Sequence, residues 1–387
     1  MAHAQMIQKD SSTRVDRLYI AFELSNSKWK LAFSNGMKRR QKTISARALI
    51  VLEEEIAKAR KRFNMTGNVP IYSCYEAGRD GFWIHRYLES VGICNLVVDS
   101  SSIEVNRRFR RAKSDRIDAD KLLSMLIRYL NGEQKLWSVL HVPDVEQEDA
   151  RRIDREIERL KKERTGHTNR ITSLLVLHGT VLSVGPNFLR MLELVRQWNG
   201  EALPPMVKNE IVREYQRYEL IKEQLKALED EKKKILEKAG CDTLTNLSIP
   251  AAKAATLKTL KGVGPVSSWI LAFEYFGWRK FKNVKQVGAA SGLAPTPYNS
   301  GGSEIEQGIS KCGNRRVRSV MIELSWYWLR YQPKSTLSRW YMERFGTGGS
   351  RMRRIGIVAL ARKLLIAFWK YLEQGIVPEG AILKIAA

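Results

Sequence analysis

Asp115 and Asp118 stand three residues apart in the segment KSDRIDADKLL. On a helix, that spacing places both carboxylates on one face. Two readings follow. Acids in a first turn complement the helix dipole, and paired carboxylates can hold a divalent cation. Glu23 is an acid inside an apolar run, beside Ile20, Ala21, Phe22 and Leu24, where a charge is costly to bury unless something positive meets it. Glu76 follows a second short apolar run, in CYEAGRD, and strand ends carry chemistry in α/β sheets. Four carboxylates brought to one place repel one another. Mg2+ or Mn2+ resolves that repulsion, because hard cations prefer oxygen ligands. Two such ions about 4 Å apart can clamp the attacking and leaving oxygens of a phosphodiester.

A second stretch, Ser291–Asn314, reads SGLAPTPYNSGGSEIEQGISKCGN. Ser300 precedes Gly301 and Gly302 there. It is either an ordinary loop serine or a nucleophilic hydroxyl on a backbone that can approach a phosphate closely. No histidine lies near it in sequence to act as a base. Activation would then come from metal ions or from a carboxylate elsewhere in the chain. Lys311, Arg315 and Arg316 follow as candidate phosphate clamps.

Further basic and glycine-rich segments point the same way. Arg107, Arg108, Arg110, Arg111 and Lys113 run directly into Asp115, a series suited to phosphates. LKTLKGVG followed by Pro265 resembles a helix-hairpin-helix element. In that element Gly262 and Gly264 would offer backbone amides to a phosphate, although such a turn also simply joins helices. Arg351, Arg353 and Arg354 open a stretch that holds no acid up to Lys363. Lys and Arg number 66 against 41 Asp and Glu, a net charge of +25. A surplus of that size calls for a polyanionic partner, nucleic acid first, or for a strong solubility reason in a merely basic soluble protein.

The elements that must position these residues fall into three segments. Residues 15–145 read as α/β. Two strands near Arg17–Leu24 and Lys28–Phe33 form a hairpin, Gln41–Ile44 adds a third, and a helix follows over Ala46–Phe63. Short strands at Val69–Tyr75 and Cys94–Val98 flank a helix at Phe82–Leu88, and a periodic helix runs from Asp115 to Leu130. Such an order suggests an α/β layer domain with a mixed sheet. Residues 146–245 are helical and charged, with one long helix interrupted near Gly166. The spacing of Tyr218, Ile221, Leu225, Leu228 and Ile235 fits either an intramolecular hairpin or an intermolecular coiled coil. Residues 246–387 are mostly helical. The hydrophobic content of 44% is enough for real cores.

Several classes are excluded. No run of about 18 apolar residues occurs, so no membrane span is expected, and the first residues lack the apolar core of a signal peptide. Cys74, Cys94, Cys241 and Cys312 are scattered, without a C-x-x-C pair. That argues against a zinc site or a disulfide framework and fits a reducing cytoplasm. His85, among Phe82, Trp83 and Ile84, reads as structural.

At these residues the chain resembles the DEDD transposases of insertion-sequence family one-ten, with its eleven-eleven subgroup, and the DNA invertases related to Piv and MooV. The acid of the first strand, CYEAGRDGFW and KSDRIDA carry the resemblance in the first half. LKGVGP, ASGLAP, SGG and GISKCGN carry it in the second. The resemblance implies an RNase H-like (RuvC-like) α/β N-terminal domain, a helical coiled-coil middle, and a mostly α C-terminal transposase domain. It assigns Glu23, Glu76, Asp115 and Asp118 to the metal site, with Mg2+ or Mn2+ as cofactor, and Ser300 to the nucleophile that becomes joined to DNA. It further implies target and donor DNA, a non-coding bridge RNA, a dimer or tetramer in which one subunit's carboxylates meet another's serine, and a cytoplasmic, nucleoid-associated location. The family pattern has Asp at the first position, where this chain has Glu23. Three rival readings remain at this level. One is a RuvC-like structure-selective nuclease using metal-activated water, another a site-specific invertase, and the third a nucleic-acid-binding protein with a decayed site.

Overall fold

A computed structural model describes residues 16–103, 115–241, 249–300 and 303–384. For residues 101, 115–117, 236–241, 297–300 and 303–307 the description covers the backbone alone. The chain divides into two compact units, residues 1–142 and 143–387.

The first unit is built on a five-stranded sheet. Strands β1 (Leu18–Leu24), β2 (Lys28–Ser34), β3 (Arg39–Ser45), β4 (Ile71–Glu76) and β5 (Cys94–Val98) lie in the order β3-β2-β1-β4-β5. β2 runs antiparallel to both its neighbours, while β1, β4 and β5 are parallel. Period-two alternation divides β1 between two cores. Leu18, Ile20 and Phe22 join Trp29, Leu31, Phe33 and Tyr75, with Leu52 and Ile56 of helix α1 (Leu49–Arg62) and Ile84 and Leu88 of helix α2 (Trp83–Ser90). Tyr19 and Ala21 join Ala32 and Cys74 on the other face, under Ala119, Leu122, Leu123 and Leu126 of helix α3 (Asp115–Leu130). The centre of the sheet is therefore covered on both faces, which is why β1 reads as a nearly continuous apolar run, whereas the edge strand β3 is polar and largely exposed. α3 has the limits the periodicity predicts. α1 starts three residues later than its pattern suggests and α2 ends two residues later, shifts typical of helix ends.

The second unit is helical with one hairpin. Helix α4 (Val145–Asp149) opens it with a capping box between Asp144 and Gln147. Helices α5 (Arg152–Leu177), α6 (Phe188–Leu194) and α7 (Pro205–Cys241) follow. Ile157 and Leu160 pack on Ile221 and Leu225, and Ile171 and Leu174 on Ile211 and Tyr215. α5 and α7 are thus antiparallel partners within one chain, the intramolecular one of the two arrangements the spacing allowed. The predicted break near Gly166 does not occur. α5 runs through it, since one exposed glycine costs a helix only about 1 kcal/mol.

Next come helix α8 (Ile249–Lys258) and helix α9 (Pro265–Leu271), the latter extended by a π turn over Ala272–Phe276. Helix α10 (Val284–Ala290) leads into strands β6 (Pro295–Ser300) and β7 (Ser303–Ile309). Helix α11 (Arg315–Tyr331), helix α12 (Thr336–Tyr341) and helix α13 (Ser350–Gln374) complete the unit. Leu257, Leu271, Phe276, Met321, Leu324, Trp328, Leu364 and Phe368 form its main core.

Candidate active site

The carboxylates belong to neighbouring elements of the first unit. The parallel pairing of β1 with β4 matches Phe22 with Tyr75, so Glu23 and Glu76 are the next residues at the ends of adjacent strands. Alternation puts Glu23 on the face of Tyr19 and Ala21, and Glu76 on the face of Tyr72 and Cys74. That is the face α3 covers. The Cys74 thiol lies 3.8 Å from the Leu122 carbonyl. Asp118 and Asp115 lie one and two helical turns before Leu122, at the start of α3. Glu76 is exposed, and Glu23 and Asp118 are half-buried. The side chain of Asp115 is outside the described residues. Among the described residues no three His, Cys, Asp or Glu side chains form a group that could hold a metal ion.

Glu23 also has basic neighbours. Lys30 is its cross-strand partner on β2, and Thr43 of β3 pairs with Lys30 in turn. Glu23, Ser25, Lys28, Lys30 and Thr43 line one cleft. Lys30 is the kind of positive group that an acid in this strand requires, and it stands opposite Glu23 in the register.

Ser300 lies in the second unit, as the last residue of β6, paired with Ser303 of β7. Gly301 and Gly302, which join the strands, are outside the described residues. The segment that reads as a turn-rich loop is thus an antiparallel hairpin, and its base is tightly clamped. The Ser310 amide donates to the Ala294 carbonyl at 2.9 Å, the Lys311 amide to Gly292 at 3.2 Å, and the Asn314 amide to Ala290 at 3.1 Å. Gly292 and Gly313 adopt φ of +71° and +120°. A Cβ at Gly292 would lie 2.6 Å from the Cys312 carbonyl oxygen, and one at Gly313 would lie 2.4 Å from that of Ala290. The guanidinium of Arg318 donates to the Ser291 and Lys311 carbonyls at 3.3 and 3.0 Å. The Asn314 side chain caps α11 by accepting from the Arg316 and Val317 amides. The two sequence motifs flanking the hairpin, ASGLAP and KCGN, therefore close on each other.

Residues 254–339, which include this hairpin, match the family described as Transposase IS116/IS110/IS902. The putative transposase y4rJ of Sinorhizobium fredii is 40% identical to this chain, over 97% of each. The chain belongs to the IS116/IS110/IS902 transposase family. It is also similar to the transposase for insertion sequence element IS1111A of Coxiella burnetii, 28% identical over 68% of this chain and 67% of that one. The transposase for insertion sequence element IS1328 of Yersinia enterocolitica is 27% identical over 56% of this chain and 61% of its own length.

Within this transposase-family chain the remaining candidate residues occupy different settings. Arg107, Arg108, Arg110, Arg111 and Lys113 lie outside the described residues. Gly262, at φ +93°, abuts Tyr331, where a Cβ would sit 3.2 Å from the tyrosine Cβ. The turn therefore has a packing reason for its glycine. Gly264 is the N-cap of α9, followed by Pro265 in the first turn. Lys311 and Arg315 are exposed, as are Arg351, Arg353 and Arg354 at the start of α13. Arg353 also donates to the Gly348 carbonyl at 2.9 Å.

Arg316 departs from its expected role as a phosphate clamp. Its guanidinium contacts Asp154 at 2.7 Å, Glu158 at 2.6 Å and Glu274 at 2.6 Å. It is a bridge between carboxylates, because two of the three are buried and need a cation. Arg155 adds a bidentate contact to Glu274 at 2.7 and 2.9 Å, and Lys232 pairs with Asp154. Burial pushes the Glu274 carboxyl up. The Arg155 hydrogen bond and the charges of Arg155 and Arg316 outweigh that, so its pKa lies below the ordinary value. Burial lowers Lys232, and Asp154 opposes that change. Glu274 stands in the apolar run ILAFEYF, the same signal that singled out Glu23, yet sequence reading passed over it.

Proposed function

We propose that this chain is a DNA transposase that cuts and rejoins DNA through a serine–DNA intermediate. In this reading the Ser300 hydroxyl oxygen attacks a phosphodiester phosphorus. An O–P bond forms to serine, and the bond to one DNA oxygen breaks. The serine proton passes to a nearby base, and the departing oxygen takes up a proton. Attack on the phosphoserine by a DNA hydroxyl reverses these changes in a new context, so no bond energy is lost. We read the first unit as RNase H-like, on its strand order β3-β2-β1-β4-β5 with β2 reversed. Glu23, Glu76, Asp115 and Asp118 would hold Mg2+ or Mn2+, and their all-oxygen donor set suits a hard cation. The bound ion would polarise the phosphate and stabilise its developing charge. A bridge RNA would use part of the +25 charge. A homo-oligomer would let one subunit's acids serve another's serine.

The observation that carries this reading is the family membership, together with the position of Ser300 at the end of a hairpin whose base is rigidly clamped. A clamped base preorganises a nucleophile. The test is a denaturing gel of labelled DNA incubated with protein, Mg2+ and the RNA that copurifies. A protease-sensitive protein–DNA adduct is expected, absent in Ser300→Ala, whose nucleic-acid affinity stays within about twofold of wild type. Cleavage by Ser300→Ala with unchanged products would replace this reading with the RuvC-like nuclease.

A further inference from the structure

We propose that the outward face of α11 is a stacking platform for unpaired nucleic-acid bases. α11 buries Val317, Met321, Leu324, Ser325 and Trp328. Its exposed residues include Trp326, Tyr327, Arg330 and Tyr331. Trp326 is 50% exposed, Tyr327 42% and Tyr331 39%. Scattered apolar residues are normal on a surface, but Tyr327 and Tyr331, one turn apart, form a contiguous exposed aromatic pair that suits a ligand or a partner.

The rings are pre-arranged. Tyr327 and Tyr331 are one turn apart and stack with centroids 6.3 Å apart and planes 24° from parallel. The guanidinium carbon of Arg330 lies 5.5 Å from the Tyr331 ring centroid. The platform is also propped from one side. Gly262, at φ +93°, sits against the Tyr331 Cβ and the Tyr327 carbonyl, so that a larger residue would be strained and would press on Tyr331. Gln332 fixes that turn by donating to the Lys261 carbonyl at 2.8 Å. Exposed cations lie near the stack along the chain: Arg330 on α11, Lys334 just beyond the helix, and Lys261 on the propping turn. Glu323, one turn before Tyr327, is the acid on this face and marks the end of its cationic part.

A stacked pair of exposed rings beside exposed cations is an arrangement suited to single strands. An unpaired base has a free π-face to lay on the outer ring, and Arg330, Lys261 and Lys334 complement its phosphates. Bases inside a duplex are already stacked on both sides, so the platform discriminates against them. The ligand is therefore a strand with extruded or unpaired bases, DNA or RNA. This role involves neither the carboxylates nor Ser300, so it stands or falls separately from the proposed chemistry.

The experiment is fluorescence anisotropy on the full-length protein with three labelled probes: a 12-nucleotide DNA single strand, the RNA of the same sequence, and the corresponding DNA duplex. Tyr327→Ala/Tyr331→Ala is expected to weaken the preferred single strand about tenfold or more, leaving duplex affinity within about twofold. Tyr327→Phe/Tyr331→Phe should bind like wild type, because stacking needs the ring and not the hydroxyl. The stronger-binding single strand identifies DNA or RNA as the source. Wild-type single-strand affinity in the alanine pair would overturn the proposal. So would loss by the phenylalanine pair, or a drop in sedimentation coefficient of the alanine pair at unchanged affinity. The last result would mean that a second copy of the chain covers this face.

Discussion

Replacing Gly313 with alanine tests whether close backbone packing is what holds the Ser300 hairpin in place. Gly313 has φ +120°, a backbone state that costs an L-residue about 1–3 kcal/mol. Its added Cβ would lie 2.4 Å from the Ala290 carbonyl oxygen, 2.8 Å from the carbonyl carbon and 3.0 Å from the Gly292 nitrogen. These are backbone atoms, so no side-chain rotation relieves the clash. The two backbone segments must separate, at about 1–3 kcal/mol for overpacking. The 3.1 Å hydrogen bond from the Asn314 amide to Ala290 then weakens, a further loss of about 0.5–1.5 kcal/mol. The three effects overlap, and the net cost is about 3–5 kcal/mol. In a unit of this size each kcal/mol lowers the melting temperature by about 2–4 °C, so the fall is on the order of 10 °C. Tryptophan fluorescence follows it directly, because Trp269, Trp278 and Trp328 are buried in the same unit. Gly166→Ala is the matched control. That site is exposed, helical and has nothing within 4 Å of an added Cβ, so alanine should stabilise by about 0.5–1 kcal/mol. A Gly313→Ala protein melting within 2 °C of wild type, or a Gly166→Ala protein melting lower, would refute the reasoning.

Three further outcomes follow from the charged sites. Glu274→Gln leaves the half-exposed Arg155 and the partly buried Arg316, which keeps Asp154 and Glu158, facing a neutral amide and should cost about 1–3 kcal/mol; a loss under about 0.5 kcal/mol would mean that water or Glu158 replaces it. Glu274 has a folded pKa below its unfolded one, so its contribution is present above about pH 4.5 and is lost as pH falls through the folded value. Melting curves on acidification should show that loss in wild type and a flatter limb in Glu274→Gln. At the acid end, Glu23→Asp should retain Mg2+-dependent strand cleavage and Glu23→Gln should lose it by about 100-fold or more. Activity surviving in Glu23→Gln would leave Glu23 as no more than the partner of Lys30.

What sequence reading could reach depends on how local each signal is. α3 is legible because its apolar stripe and its opening acids lie within one continuous segment, and the structure gives it the same limits. The strands of the first unit are legible for the same reason, with β3 extending two residues earlier and one later than expected. The β6–β7 hairpin is not. Pro295, Pro297, Gly301 and Gly302 all signal turns, and only pairing with Ser303–Ile309 makes Pro295–Ser300 a strand. The spacing in α7 revealed an apolar face but not its partner, since an intramolecular α5 and a second chain would present the same stripe. Arg316 illustrates the limit most sharply. Its basic neighbourhood suggests phosphate, whereas Asp154 and Glu274, which hold it, are 162 and 42 residues away in sequence.

The segment from Ala290 to Arg318 divides its labour in a way that residue types alone do not reveal. Gly292 and Gly313 permit two backbone strands to touch, Arg318 ties Ser291 to Lys311, and Asn314 caps α11. Arg316 then fixes the start of α11 to Asp154 on α5 and to Glu274 in the π turn after α9. Each of these residues acts on the base of the hairpin, and Ser300 stands at its far end. In the proposed reading the Ser300 hydroxyl must be held to within a fraction of an ångström, and a two-stranded hairpin is marginal by itself. The rigidity has to come from the base, which accounts for glycines at sites where a side chain would collide and for an arginine consumed by carboxylates in a protein with cations to spare.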